Sequence, residues 1–292
     1  MSKVLKKVVC ATLALGTVVS AATMFSGCTT KRPEAEMKLE FNGKTYTLEY
    51  TMYRKISPAT VNHFIKLVEE GYYNGLCVHN YEENRMYTGA YYYDETKSEL
   101  LDYKPYFETV ATYKNFPHSV WKDSDLETPL YTLYGEFAKN DLSIKNGSFT
   151  KQSFGSLTMY YTDKSDCDVN AYIKRNDDSE SKYSKRKYMY NSATSQFYIN
   201  LSTTSTTNSA YCTFATLNDD SKSTLEKLQT AIADYIEANF GDDTDAKADF
   251  VNIVEKVDVD TDDPIVGDDR NTADFNVPVE PIIIKSIKIT KY

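Results

Sequence analysis

Residues 57–89 read SPATVNHFIKLVEEGYYNGLCVHNYEENRMYTG. The stretch opens as a helix with clear punctuation. Ser57 suits an N-cap, and Pro58 fits the first helical turn, where a missing N–H leaves no intrahelical bond unmade. Val61, Phe64, Ile65 and Val68 recur at helical spacing and form one apolar stripe. Gly71 stops the helix, because glycine enters the left-handed C-terminal conformation without strain. Two tyrosines, an Asn74-Gly75 turn and a short apolar strand ending at His79 follow.

On the N-terminal side, Met37 to Phe41 and Lys44 to Tyr53 alternate around Asn42-Gly43, which predicts a hairpin. Tyr91 to Tyr93 suits a strand, where aromatic rings pack well on a pleated surface. A second helix is expected from about Ser223 to Phe240, with Leu225, Leu228, Ile232, Tyr235 and Ile236 on its buried face.

These residues resemble the cyclophilin family of peptidyl-prolyl isomerases, whose members read roughly P-x-T-V-x-N-F-x-x-L, G-Y-Y-x-G, F-H-R and F-M-x-Q-G-G. The matching positions are Pro58, Thr60, Val61, Phe64, Leu67, Gly71 to Tyr73, Gly75, His79, Met86 and Gly89. Later segments agree in order: Gly135-Glu136-Phe137 with Asn140, Gly155 to Met159, and Asn191 to Ile199 (NSATSQFYI). Phe214 to Leu217 and Pro281 to Ile289 fall where the family has its last two strands. The resemblance covers most of the chain from about Met37. It implies a mainly β fold, a closed eight-stranded antiparallel barrel capped by two α-helices, interrupted here by long loop insertions.

The resemblance also implies a site. A prolyl peptide bond resists rotation by roughly 18–20 kcal/mol, and a catalyst must favour the twisted amide over both planar forms. In the family an arginine after the histidine donates to the prolyl nitrogen, an apolar cup holds the proline ring, and amide donors hold the peptide carbonyls. Carried onto this sequence, His79, Asn80 and Gln196 take the catalytic positions, and Met86, Thr88, Phe197, Tyr198, Tyr160 and Tyr161 the substrate-binding ones. Several depart from the pattern. Asn80 stands at the arginine position and Arg85 at the cup phenylalanine. Thr88 stands at a glutamine, and Tyr160 and Tyr161 stand at an alanine and an asparagine. Counting back from Phe214 puts the family's tryptophan near Thr206 and its second histidine near Tyr211. Hydrogen bonds to charged groups are worth about 1.5–3 kcal/mol against about 0.5–1.5 for neutral ones. An amide in place of the guanidinium would therefore cost roughly 1–2 kcal/mol, or about ten- to thirtyfold in rate. Two readings stand: an isomerase of reduced turnover, or an inactive module that keeps the barrel and grips peptides or a surface partner. In the second, His79 is simply a buried core histidine.

The N-terminus reads as a targeting segment. Lys3, Lys6 and Lys7 precede an apolar run from Val8 to Phe25, and Phe25-Ser26-Gly27-Cys28 reads as a bacterial lipobox with Cys28 as the acylated residue. The expected organisation is a signal peptide over 1–27, a lipidated N-terminus and linker over 28–36, and a cyclophilin-like domain over 37–292 with insertions at 92–133, 163–190 and 241–278. The alternative for the first segment is an uncleaved anchor; both readings put the domain on a membrane, outside the cytoplasm, in the bacterial cell envelope. The expected partners are proline-containing segments of exported proteins. Loss of residues 1–27 takes three lysines and no acid, moving the formal charge from −9 to −12. That balance argues against nucleic acid as a partner.

No cofactor is expected. The three histidines, His63, His79 and His118, lie at no ligand spacing, and His63 is expected to be partly exposed on the first helix. Asp258, Asp260 and Asp262 alternate as in a calcium loop, but Asp263-Pro264 stands where the loop needs glycine and Asp269 where it needs glutamate. Cys77, Cys167 and Cys212 are an odd number whose pairing the sequence leaves open. The first two insertions are expected near the mouth of the groove.

Overall fold

The computed structural model describes residues 32–116, 118, 120–137, 140, 151–163, 170–174, 183–187, 190–206, 210–241, 246–257 and 272–292. Residues 1–31, with the expected signal peptide and Cys28, lie outside these, as do Cys167 and the Asp258–Asp269 run.

The first hairpin joins β1 (Glu34–Phe41) to β2 (Lys44–Met52), and Asn42 and Gly43 both take positive φ in its turn. Inward and outward residues alternate along both strands, burying Ala35, Met37, Leu39 and Phe41 on one and Tyr46, Leu48, Tyr50 and Met52 on the other. Helix α1 (Pro58–Glu69) follows, then β3 (Leu76–Glu82), β4 (Arg85–Asp94) and β5 (Glu99–Tyr103). Next come α2 (Tyr106–Ala111), β6 (Val120–Trp121), β7 (Pro129–Leu130), β8 (Leu133–Tyr134) and β9 (Leu157–Met159). The short strands β10 (Thr162–Asp163), β11 (Asn170–Lys174), β12 (Tyr183–Lys187) and β13 (Tyr190–Ala193) precede β14 (Phe197–Asn200) and β15 (Thr213–Leu217). The chain closes with α3 (Asp219–Phe240), α4 (Ala246–Asp249), β16 (Val251–Val257), β17 (Thr272–Pro278) and β18 (Ile282–Lys291).

Eight strands form a ring in the order β14-β9-β15-β2-β1-β18-β3-β4, and pairing of β4 with β14 closes it; β5 hangs on β4 outside the ring. All these pairings are antiparallel. The β4–β14 seam is tight. A Cβ on Gly89 would lie 2.6 Å from the Ser195 carbonyl oxygen, and Gly89 has φ +99°. Only glycine meets both demands. The Ser195 hydroxyl then donates to the Gly89 carbonyl at 2.6 Å.

Both helices bury an apolar stripe against this barrel. On α1, Phe64 meets Tyr73, Phe197 and Phe214 with ring centres 5.1–5.6 Å apart. Gly71, at φ +67°, ends the helix as its position predicts. Ser57 makes no side-chain cap. The buried carboxylate of Glu136 takes that role, accepting the Ala59 and Thr60 amides at 3.0 and 2.8 Å. On α3, Leu225, Leu228 and Ile232 are buried, and Tyr235 and Ile236 pack partly exposed against the core.

His63 is a correction to the sequence expectation. It is 2% exposed, because α2 from the first insertion covers that side of α1. Its Nε2 lies 2.9 Å from the Thr194 carbonyl oxygen and 3.1 Å from the Tyr106 hydroxyl. The first two insertions also pair with each other: Val120 and Trp121 of β6 oppose Ile173 and Tyr172 of β11 in a four-stranded sheet. Cys77 and Cys212 are buried free thiols.

Candidate functional site

The residues singled out in the sequence fall into three groups. The first centres on His79. Val78 opposes Thr88 and Asn80 opposes Tyr87, so β3 carries one extra residue, His79, in a bulge. The His79 ring is 1% exposed and hydrogen-bonds to the buried Gln196 side chain. It packs 4.7 Å from Tyr91 and 5.1 Å, edge to face, from Phe275. Burial pushes its pKa down to about 3, only partly offset by the Gln196 bond, so the imidazole is neutral; its Nδ1 has no hydrogen-bond partner. Asn80 beside it has both ends of its amide engaged. Its Oδ1 accepts the Asn276 backbone N–H at 3.0 Å, and its Nδ2 donates to Glu82 Oε1 at 3.3 Å.

Phe275 and Asn276 belong to the β16–β17 hairpin of the third insertion, which lies alongside β3. The described insertion contacts on His79 and Asn80 thus come from residues 241–278, where the first two insertions were expected. The hairpin is anchored through Phe250, whose ring meets Tyr81 and Phe41 at 5.4 and 6.4 Å and whose carbonyl accepts the Val279 amide at 2.9 Å.

The second group is a tyrosine cluster on the outer face of β4, β14 and the segments beside them. Directly opposed residues of an antiparallel pair share a face. Tyr87 opposes Tyr198, with ring centres 5.3 Å apart. Tyr160 joins Tyr87 at 6.1 Å, and Tyr211 joins Tyr198 and Tyr161 at 6.5 and 5.9 Å. Arg85 lies over this cluster, its guanidinium carbon 4.9 Å from the centre of the Tyr198 ring and 5.9 Å from that of Tyr211. Its Nη1 donates to the Tyr87 hydroxyl at 3.1 Å. From the other side Gln152 Nε2 donates to the Tyr198 hydroxyl at 2.9 Å. Burial raises the Tyr198 pKa and the Arg85 charge pulls it back; the phenol stays protonated in the neutral range.

The third group faces inward. Met86 opposes Ile199 and Thr88 opposes Phe197, and all four are wholly buried. Thr88 donates its hydroxyl proton to the Cys77 carbonyl at 2.7 Å, and the Phe197 ring packs on Phe64 and Tyr73. Met86, Thr88 and Phe197, expected in the groove, sit on the core side of the sheet because period-2 alternation puts neighbours of Tyr87 and Tyr198 on the opposite face. Of the expected site residues, Tyr160, Tyr161 and Tyr198 come together in the tyrosine cluster, and His79, Asn80 and Gln196 lie together beneath or beside the hairpin. Tyr87, Gln152 and Phe275 were not read from the sequence. Tyr87 could have been found from its parity with Arg85; Phe275 carries no local signal. The geometry offers a neutral imidazole–amide pair, an aromatic face and a guanidinium. Among the described residues no three His, Cys, Asp or Glu side chains are grouped to hold a metal ion.

A family model described as cyclophilin type peptidyl-prolyl cis-trans isomerase matches residues 37–257. No curated protein matches the chain. Among solved structures, two crystal structures of a cyclophilin type peptidyl-prolyl cis-trans isomerase from Cryptosporidium parvum are similar, one of them determined in the presence of the dipeptide Ala-Pro. They are 15% and 16% identical with TM-scores of 0.42 and 0.41, each comparison covering 89% of this chain and 99% of the other.

Proposed function

The chain belongs to the cyclophilin type peptidyl-prolyl cis-trans isomerase family, and from that premise we propose that it is a prolyl isomerase of low turnover. It would act outside the cytoplasm, tethered through Cys28, on proline-containing segments of exported proteins. X-Pro isomerisation is slow enough to limit folding, so even a modest catalyst is useful there.

The observation that carries this reading is the pairing of retained and lost parts at one place. The buried His79–Gln196 pair is kept, while the neighbouring arginine position holds Asn80 with both ends of its amide already bonded. A twisted prolyl nitrogen gains most from a charged donor. Asn80 would have to give up the Glu82 bond to donate at all, and would then donate as a neutral group.

The position of Arg85 over Tyr198 favours a second reading, a non-catalytic peptide-binding module. A protease-free prolyl-peptide assay separates the two. The isomerase reading expects turnover above buffer, lost in Gln196→Ala and raised about ten- to thirtyfold in Asn80→Arg. No turnover in the native chain and none after Asn80→Arg combined with Arg85→Phe would leave only the binding module. For the anchor, the native chain should incorporate labelled fatty acid and Cys28→Ser should not; equal labelling of the two would exclude acylation at that residue.

A further inference from the structure

We propose that Arg85 is a specificity-determining residue that covers the aromatic face of Tyr198 against a prolyl ligand. The inference rests on the reading above, that the chain takes prolyl segments, and it places the ligand ring at the tyrosine cluster on the outer face of β4 and β14. Three tyrosines hold the guanidinium: it lies over the rings of Tyr198 and Tyr211 at 4.9 and 5.9 Å and donates to the hydroxyl of Tyr87 at 3.1 Å. A guanidinium plane is attracted to aromatic faces and is weakly hydrated, so this is a favourable resting place. Tyr198 lies beneath, fixed by Gln152 and only 2% exposed.

A proline ring would need that same aromatic face. Arg85 and a prolyl ligand therefore compete for it, and a peptide enters only when Arg85 swings out. The swing has a destination. Glu82 is the cross-strand partner of Arg85 in the β3–β4 ladder, and its carboxylate already accepts the Tyr87 hydroxyl at 3.4 Å. Opening thus trades a cation–π stack for an ion pair on the neighbouring strand, which keeps the charge satisfied in both positions. The aromatic face then admits ligands that displace the resident side chain and rejects weaker ones. This is a filter built from a residue at the very position where the sequence departs from the family's cup phenylalanine.

The test uses the full chain with Arg85→Met, which keeps the stem and removes the guanidinium, and Arg85→Lys, which keeps the charge without the plane. Two quantities are read: the rate at which tetranitromethane nitrates Tyr198, followed by peptide mapping, and the affinity for a blocked Ala-Ala-Pro-Ala peptide, followed by NMR shift titration. Arg85→Met should raise Tyr198 nitration about tenfold and tighten peptide binding about tenfold, with Arg85→Lys between it and the native chain. Tyr198 as protected in Arg85→Met as in the native chain, at an unchanged melting temperature, would overturn the proposal. If Arg85→Met melts early, Arg85→Lys with unchanged protection overturns it equally. Faster nitration with no peptide bound to any form would uphold the gate and sink the prolyl-peptide reading; equal binding by all three with Tyr198 still protected would do the reverse.

Discussion

Glu136 reaches the start of α1 from 76 residues away and does the work that Ser57 was placed to do. Two amides at a helix N-terminus donate to one carboxylate, and the positive end of the helix dipole reinforces the bond. Burial holds its pKa above the usual glutamate range, while the Thr60 and Ala59 amides pull it back. Glu136→Ala leaves the buried Thr60 amide and the partly buried Ala59 amide without acceptors and should cost roughly 3 kcal/mol, read as a lower urea midpoint with an unchanged slope. The sequence placed the helix start correctly because proline and the apolar stripe are local. It could not place the cap, because a carboxylate so distant along the chain is brought there only by the fold. The same holds for His63. Its helical position is local information; the Tyr106 hydroxyl and Thr194 carbonyl beside it are not.

The decisive element is the β16–β17 hairpin. It belongs to the third insertion, and it lies along β3 with Phe275 over His79. That placement makes the histidine a buried neutral group. Phe275→Ala should open the ring to water and move the His79 pKa upward toward 6.5, seen in imidazole NMR titration; it should also cost about 3 kcal/mol of stability. A histidine that remains untitrated in that variant would mean the barrel, not the hairpin, desolvates it. The motif around His79 was legible as a strand because apolar residues and a turn bound it. Its bulge was not, since register is set by the partner strand β4. The inward placement of Met86, Thr88 and Phe197 has the same origin: which face a strand residue occupies depends on the register of its neighbours.

At the scale of the whole molecule, two histidines buried in different places act together on stability. Burial lowers His63 to about 4 and His79 to about 3, both below the ordinary value of 6.5. Between those values the unfolded chain binds more protons than the folded one. The contribution is therefore complete above about pH 6.5 and is lost as pH falls toward the folded values. From pH 7 to pH 5 each histidine should remove about 2 kcal/mol, at about 1.4 kcal/mol per pH unit of displacement. Urea unfolding across that range should show it, and His63→Gln should roughly halve the fall; an unchanged fall would show that carboxylates carry it. The barrel itself was legible from sequence. Alternation, a hairpin turn and two amphipathic helices are local facts that read the same in any context, and the family motifs in order implied the closed ring that pairing of β4 with β14 completes. The departures at Asn80 and Arg85 were equally legible, as residue identities at motif positions. Only the tertiary structure decided what those residues do: Asn80 bonded to an insertion and Arg85 stacked on Tyr198 and Tyr211 from two other segments. Contacts between residues so far apart along the chain are chosen by packing and desolvation over the whole molecule, and no window of sequence carries that sum.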